Sequence, residues 1–284
     1  MTSNAPGPEA PRSLADLRAL IIDIDGVLWR GDTALPGLAA FFAFMRERGI
    51  LFRLATNNAS LTPAAYVAKL AGFGVHAAVE EVLTSALATA AYLRREAPGA
   101  KVYVIGEEGI QQALRDAGLR VVGEEDLTAD IVVCSMDRGL NWTKLGNATI
   151  SLRGGARFVA TNDDMTFPTE RGITHGNGAI LAALSAASGA QPTVVGKPEP
   201  LLYEMALASL SRTPRETAAM GDRLGTDILG AHRAGLPSIL VLSGVTSADE
   251  AAHAAYPPSW VFGGLPELTH SGFRHMQASP VQQT

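Results

Sequence analysis

Two aspartates separated by one residue carry the clearest chemical signal in the chain. Asp23 and Asp25 lie at the end of the apolar run Leu20–Ile24, and Gly26 follows, which permits a tight turn. Residues at i and i+2 of a strand face the same side, so both carboxylates would lie close together. Two negative charges so close together repel each other, unless a cation binds them or one of the two carboxyl groups acts as an acid and the other as a base. An exposed turn that ends a strand would show the same pattern, so the pair alone leaves both interpretations open.

Two further polar segments also follow short apolar runs. Thr56, Asn57 and Asn58 offer a hydroxyl and successive backbone N–H groups, which can hold a phosphate group at a strand end. Lys197 offers a compact cation that pairs with phosphate or carboxylate. Taken singly, the first segment also fits a polar turn with a helix N-cap, and a lysine in this position is usually solvated.

A second pair of aspartates lies far along the chain. Asp222 and Asp227 belong to the segment Gly-Asp-Arg-Leu-Gly-Thr-Asp at 221–227, which follows the apolar run Thr217–Met220. Carboxylate oxygens and water are the ligands that Mg²⁺ prefers. An acidic surface loop is the alternative for this segment alone. The ordered set of acidic pair, hydroxyl, lysine and acidic pair, each at a predicted strand end, favours a phosphate and metal site.

Alternating strand and helix patterns predict an α/β fold with parallel sheets. The β-branched runs that predict buried strands are Leu20–Ile24, Leu51–Thr56, Lys101–Ile105, Asp130–Cys134, Arg157–Thr161, Thr193–Val195, Thr217–Met220 and Ser238–Leu242. The Ala- and Leu-rich runs that predict helices include Gly37–Arg48, Pro63–Leu70, Ala86–Glu96, Glu108–Ala117, Ala179–Ala187 and Pro200–Leu210.

Composition restricts the class of protein. The chain has 284 residues, 47% of them hydrophobic and 18% charged, so a large core is available. A net charge of -5 disfavours nucleic acid as a partner. No run of about 20 apolar residues predicts a membrane span, and the polar start at 1–13 does not resemble a signal peptide. Cys134 is the single cysteine, so no disulfide can form within the chain, and we expect a reducing, cytoplasmic location. We interpret Cys134 itself as a small core residue.

The motifs resemble those of the haloacid dehalogenase superfamily, and most closely its class IIA, NagD-like and 4-nitrophenylphosphatase-like phosphatases. The similarity extends over roughly Leu17 to Gly263. Besides the aspartate pairs and Thr-Asn-Asn, it rests on Val-Gly-Lys-Pro-Glu-Pro at 195–200 and Gly-Asp-Arg-Leu-Gly-Thr-Asp-Ile at 221–228. Ala-Thr-Asn-Asp-Asp at 160–164 and Gly-Asn-Gly-Ala-Ile at 176–180 are similar to the family's cap.

The resemblance implies an aspartyl-phosphate mechanism. Asp23 would be the nucleophile, and Asp25 the general acid and then the general base. Thr56 and the backbone of Asn57 would hold the phosphoryl oxygens, and Lys197 would offset their charge.

The resemblance also implies Mg²⁺ as cofactor. Its ligands would be Asp23, the backbone carbonyl of Asp25 and Asp222, with Asp227 behind them or acting through water.

A domain division follows from the same resemblance. It implies a Rossmann-like parallel-sheet core at 14–85 and 192–268, an inserted α/β cap at 86–191, and flexible tails at 1–13 and 269–284. The cap would select the substrate, with Asp137, Arg138, Asp163 and His175 as candidate contacts. The chain departs from the family around Asp137, Arg138 and His175, and Asp163 lies in the cap-like segment 160–164. Ordinary solvated cap loops are the alternative.

The function implied is hydrolysis of a small phosphorylated metabolite. The classes considered are phosphoglycolate, sugar or glycerol phosphates, nucleoside monophosphates and pyridoxal phosphate. A phosphotransferase or mutase that uses the same intermediate, or a ligand-binding member without catalysis, are the alternatives. The family resemblance further implies a homodimer.

Overall fold

The computed structural model describes residues 13–169 and 172–272. The chain forms two compact units. Of the described residues, the first unit contains 13–53, 73–75 and 206–272, and the second contains 54–72, 76–169 and 172–205.

The strands, in chain order, are β1 (Ala19–Ile22), β2 (Trp29–Arg30), β3 (Thr33–Ala34), β4 (Leu51–Thr56), β5 (Val82–Thr84), β6 (Lys101–Ile105), β7 (Arg120–Val121), β8 (Ile131–Cys134), β9 (Arg157–Ala160), β10 (Thr166–Thr169), β11 (Gly172–His175), β12 (Thr193–Val194), β13 (Thr217–Gly221), β14 (Ser238–Val241) and β15 (Trp260–Phe262). The α-helices are α1 (Leu38–Glu47), α2 (Pro63–Gly72), α3 (Ser85–Glu96), α4 (Glu108–Asp116), α5 (Trp142–Arg153), α6 (Asn177–Ser188), α7 (Leu201–Leu210), α8 (Leu229–Arg233), α9 (Ala248–Ala252) and α10 (Leu265–Glu267).

Parallel strands in the order β15-β14-β13-β1 form the sheet of the first unit. The register pairs Ile22 with Met220, and Met220 with Ile239. Every residue of β1, β13 and β14 is buried, as expected for parallel strands covered on both faces. The carboxyl ends of β1 and β13 therefore lie side by side.

The second unit has a parallel sheet of its own, in the order β12-β9-β8-β6-β7. Its core includes Tyr103, Ile105, Val132, Phe158 and Leu181, with α5 and α6 packed together beside the sheet. The end of β4 also belongs to this unit, where it pairs in parallel with β5. The carboxyl ends of β6, β8 and β9 meet at one edge of the five-stranded sheet.

The predicted α/β fold with parallel sheets is confirmed, and the eight predicted strands lie within two residues of observed ones. The sequence did not indicate β5, β7, β15, helix α5 or the short hairpins β2–β3 and β10–β11. His175, predicted in a cap loop, instead ends strand β11 of a hairpin. The domain bounds stay a prediction. Residues 1–12 and 273–284 of the predicted tails lie outside the described residues, while Leu268–Gly272 forms a helical turn.

Among the helices within 13–169 and 172–272, none is both long enough and apolar enough to cross a bilayer.

Candidate active site

Three carboxylates converge in the first unit. Asp23 follows β1, Asp222 follows β13, and Asp227 lies in a π-helical turn, Leu224–Ile228. One carboxylate oxygen from each of the three lies within 4.8 Å of the others. Hard cations such as Mg²⁺ take oxygen ligands of this kind, so the group can hold a divalent metal.

Backbone donors fix two of these carboxylates. Asp222 and Asp227 expose only 1% and 2% of their surface. The N–H of Val245 donates to Oδ2 of Asp222 at 2.8 Å, and the N–H of Arg223 donates to Oδ2 of Asp227 at 3.1 Å. Both side chains therefore have a set direction even though two acids buried together would repel each other.

Glycines allow the main chain to approach these acids closely. A β-carbon at Gly26 or at Gly244 would collide with the carboxylate of Asp222, and one at Gly221 would collide with Asp227. Gly26 also has φ of +85°, a conformation that other residues rarely adopt. The packing is thus built around the carboxylates and leaves no room for a larger side chain.

The side chain of Asp25 is held by a neighbour in its own turn. Nε1 of Trp29 donates to Oδ1 of Asp25 at 3.1 Å, and the N–H of Gly26 donates to the carbonyl of Trp29 at 2.8 Å. Trp29 is 1% exposed and packs against Phe73 with ring centroids 5.7 Å apart. A buried indole therefore orients Asp25, a role that the sequence did not suggest.

Thr56, Asn57 and Asn58 form a hydrogen-bonded turn after β4. The N–H of Asn58 donates to Oγ1 of Thr56 at 3.0 Å, and Oδ1 of Asn58 accepts from the Ser60 hydroxyl at 2.7 Å. The Tyr66 hydroxyl donates to the carbonyl of Asn58 at 3.1 Å. These bonds shape the predicted phosphate turn from within.

Lys197 lies next to that turn in the second unit. The lysine is 2% exposed, and its Nζ donates to the carbonyl of Ala55 at 2.9 Å. The side chain of Asn57 bonds to both backbone polar groups of Lys197, at 2.8 and 2.9 Å. The structure therefore brings together two residues 140 positions apart that the sequence singled out.

The four cap candidates differ in their exposure to solvent and in their ion pairs. Asp137 is almost fully covered and pairs with Lys144 at 2.8 Å, while the exposed Arg138 pairs with Glu107 at 2.6 Å. Asp163 and His175 are exposed. The covered ion pair favours a structural role for Asp137, and the other three present polar groups to solvent.

Cys134 lies at the end of β8 with no exposed surface. Burial, with a smaller contribution from the charge of Asp137, raises the pKa of its thiol far above the ordinary value. Such a thiol is protonated at neutral pH and is a poor nucleophile, in line with its interpretation as a core residue.

Sequence reasoning gave no role to several residues that shape these strand ends. Trp29 and the loop Ser243–Val245 were not singled out, and Asn162 and Asn177 were noted only within the cap-like segments 160–164 and 176–180. The Ser243 hydroxyl donates to the carbonyl of Gly26 at 2.9 Å. One signal was available: Thr161-Asn162 repeats, at the end of β9, the Thr-Asn pair that ends β4.

Comparison with known proteins gives the family. Residues 20–120 match the sequence profile of the haloacid dehalogenase-like hydrolases, and residues 194–268 match that of HAD-hydrolase-like proteins. The chain is 37% identical over 255 residues to an acid sugar phosphatase of Staphylococcus saprophyticus, covering 90% of this chain and 98% of the relative. This chain belongs to the haloacid dehalogenase-like hydrolases.

Other members of the family agree with this assignment. The haloacid dehalogenase-like hydrolase described here is 36% identical to the 5'-nucleotidase YutF of Bacillus subtilis, over 88% of this chain and 96% of the relative. Among solved structures, the 4-nitrophenylphosphatase of Thermotoga maritima matches with a TM-score of 0.84 and 32% identity, covering 90% of this chain and 97% of that one. The predicted family is confirmed, and so is the enzyme class: the chain is a phosphoric monoester hydrolase.

A further solved structure shows a metal in a relative. The glycerol phosphate phosphatase Rv1692 of Mycobacterium tuberculosis, in complex with magnesium, matches with a TM-score of 0.84 and 38% identity, covering 92% of this chain and 79% of that one.

Proposed function

We propose that this haloacid dehalogenase-like hydrolase is a Mg²⁺-dependent phosphatase that works through an aspartyl-phosphate on Asp23. The observation that carries the proposal is the convergence of Asp23, Asp222 and Asp227 within 4.8 Å, two of them at the ends of adjacent parallel strands and the third in the helical turn that follows. Asp25, held by Trp29, supplies a fourth carboxyl group beside the nucleophile.

The donor set fits Mg²⁺. It consists of carboxylate oxygens, and glycines at 26, 221 and 244 let the backbone close around them. Asp23, the carbonyl of Asp25 and Asp222 would be direct ligands, with Asp227 behind them or acting through water. When bound, the ion offsets the negative charge of the nucleophile and of the phosphoryl oxygens.

The chemistry divides into two steps. A carboxylate oxygen of Asp23 attacks phosphorus as the bond from phosphorus to the leaving oxygen breaks, and the Asp25 carboxyl gives its proton to that oxygen. The Asp25 carboxylate then takes a proton from water, whose oxygen attacks phosphorus and breaks the bond to Asp23. One phosphoester and one water become one alcohol and one phosphate.

The remaining site residues would position the phosphoryl group and offset its charge. The hydroxyl of Thr56 and the backbone of Asn57 would hold the phosphoryl oxygens, and Lys197 would offset their charge. Asn58, whose N–H donates to Oγ1 of Thr56, would set the shape of this phosphate turn. Burial of Lys197 strengthens its field, because little water screens a charge that is 2% exposed.

The substrate would be a small phosphorylated metabolite. Relatives named for sugar phosphates, nucleotides and glycerol phosphate support these three classes in particular. The proposed cap at 86–191 would read the leaving group through Arg138, Asp163 and His175. Asp137 is the weakest of the four candidates because of its ion pair with Lys144. A cytoplasmic location, the core at 14–85 and 192–268, and a homodimer belong to the same proposal.

Product analysis tests the reaction. The protein with Mg²⁺ is incubated with a panel of phosphorylated metabolites, with 4-nitrophenyl phosphate as the reference, and free phosphate is measured. We expect free phosphate and the alcohol in equal amounts. Formation of a new phosphoester in place of free phosphate would instead identify a phosphotransferase.

A further inference from the structure

Three buried asparagine side chains link strand ends in the second unit. Asn57 follows β4, Asn162 follows β9, and Asn177 begins α6. They expose 9%, 6% and 3% of their surface. Buried amides must find partners for two N–H groups and one carbonyl oxygen, so their bonds can be followed one by one.

The chain of bonds ends at Lys197. Oδ1 of Asn57 accepts from the N–H of Lys197 at 2.8 Å, and Nδ2 of Asn57 donates to the carbonyl of Lys197 at 2.9 Å. The amide thus fixes both backbone polar groups of the residue whose charge we assign to the phosphoryl group. A β-carbon at Gly196 would collide with the carbonyl of Thr161, so the chain before Lys197 also packs closely.

Asn162 in turn holds the backbone of Asn57. Nδ2 of Asn162 donates to the Asn57 carbonyl at 2.9 Å, and the Ser85 hydroxyl donates to the same oxygen at 2.6 Å. Oδ1 of Asn162 accepts from the N–H of Asp164 at 3.2 Å. One side chain therefore joins the end of β9 to the turn that follows β4.

Asn177 completes the network. Its Nδ2 donates to the carbonyl of Asn162 at 2.7 Å and to that of Cys134 at 3.3 Å, and its Oδ1 accepts from the Cys134 thiol at 3.3 Å. All three amides thus use both their donor and acceptor groups. A fully satisfied buried network specifies one geometry, whereas apolar packing would leave the strand-end loops more freedom.

We propose that Asn162, supported by Asn177, is a positioning residue that sets the place of Lys197 through Asn57. The inference rests on the proposed function, because it assigns Lys197 to the phosphoryl group. It assigns no contact with substrate to Asn162 or Asn177.

Orthophosphate binding gives a test that does not depend on turnover. Its dissociation constant is measured by calorimetry with Mg²⁺ present for wild type, Asn162→Ala and the control Asn147→Ala. Asn147 also donates its amide to a backbone carbonyl, that of Glu124 at 2.7 Å, but on the surface of α5. We expect Asn162→Ala to weaken binding about tenfold or more and to lower kcat for 4-nitrophenyl phosphate by a similar factor. The control should change either value by no more than about twofold.

A double-mutant cycle separates positioning from a general structural role. If Asn162 acts through Lys197, Asn162→Ala should weaken phosphate binding much less in a Lys197→Met background than in wild type. Equal effects in the two backgrounds, or an effect of Asn162→Ala no larger than that of the control, would overturn the proposal. Should Asn162→Ala not fold, Asn177→Ala replaces it in the same cycle, with a smaller effect expected.

Failure of the positioning proposal can be distinguished from failure of the proposed phosphatase reaction. Absence of phosphate release by the wild-type protein would contradict the proposed reaction. The coupling between Asn162 and Lys197 in phosphate binding would still be measurable in that case.

Discussion

At the scale of single residues, the cluster of Asp23, Asp222 and Asp227 depends on the glycines packed against it. Gly244 packs so closely on Asp222 that a β-carbon would overlap the carboxylate, and the same holds for Gly26. The Asp222 side chain cannot move away easily, since its Oδ2 already accepts a hydrogen bond from the N–H of Val245. The glycines are therefore as necessary to the proposed metal site as the acids.

We predict that Gly244→Ala weakens Mg²⁺ binding about tenfold or more, because the new methyl group must displace Asp222. Gly225→Ala is the matched control, as nothing lies within 4 Å of a β-carbon placed there. Calorimetric titration with Mg²⁺ measures both variants. Equal Mg²⁺ affinity in the two variants would show that the carboxylate of Asp222 is not a ligand.

We predict that Cys134 makes the free energy of unfolding depend on pH. Burial raises the pKa of its thiol in the folded protein, so the folded state keeps a proton that the unfolded chain loses above about pH 8.5. The free energy of unfolding then falls as pH rises, by up to about 1.4 kcal/mol per pH unit, and the contribution is intact below that range. In Cys134→Ala this slope should be absent.

Urea unfolding of both proteins between about pH 7.5 and 9.5 checks the thiol effect. The alanine variant loses packing at every pH, so the comparison concerns the slope and not the absolute stability. Parallel slopes for the two proteins would contradict the assignment.

At the scale of elements, parallel strands explain why residues far apart in sequence meet. Asp23 and Asp222 follow β1 and β13, which pair in register, and Asn57 and Lys197 follow strands of the second unit. The same rule places Glu107, Arg138 and Asp163 at one edge of the five-stranded sheet, after β6, β8 and β9. We expect the leaving group of the substrate to contact the protein at that edge.

Arg138→Ala should change selectivity across a panel of phosphomonoesters, because it removes an exposed cation from the strand-end edge. We expect a larger loss of kcat/KM for substrates with an anionic leaving group than for neutral ones. Arg115→Ala is the control, since Arg115 is also exposed and paired, with Glu108 at 3.4 Å, but lies on helix α4. An unchanged order of substrates in Arg138→Ala would exclude the residue from specificity.

Element positions could be predicted where burial is continuous. Every residue of β1, β8 and β13 is buried, and the strand ends, next to Asp23 and Asp222 in β1 and β13, fall within two residues of the predicted ones. Helix α5 was not indicated because Thr, Asn and Gly interrupt its apolar spacing, although Asn141 caps it through the Lys144 N–H at 2.9 Å. Contacts such as Trp29 with Asp25, or Asn162 with Asn57, depend on turns and pairings that no local pattern encodes.

At the scale of the whole molecule, bound Mg²⁺ should stabilise the folded chain, since an unfolded chain cannot hold three carboxylates within 4.8 Å. We predict that Mg²⁺ at about 100 times its dissociation constant adds about 2.7 kcal/mol. Thermal unfolding with and without Mg²⁺ measures the shift in Tm, which Asp222→Asn should reduce. An equal shift in the variant would place the ion elsewhere.

The central claim is that Asp23 is the nucleophile. The most direct test compares phosphate release from 4-nitrophenyl phosphate, with Mg²⁺, by wild type, Asp23→Asn and the exposed control Asp16→Asn. Asparagine keeps the shape of the side chain but removes the attacking oxygen's charge, so we predict turnover reduced by about a thousandfold or more in Asp23→Asn. Asp16→Asn should match wild type. Full turnover by Asp23→Asn would contradict the account.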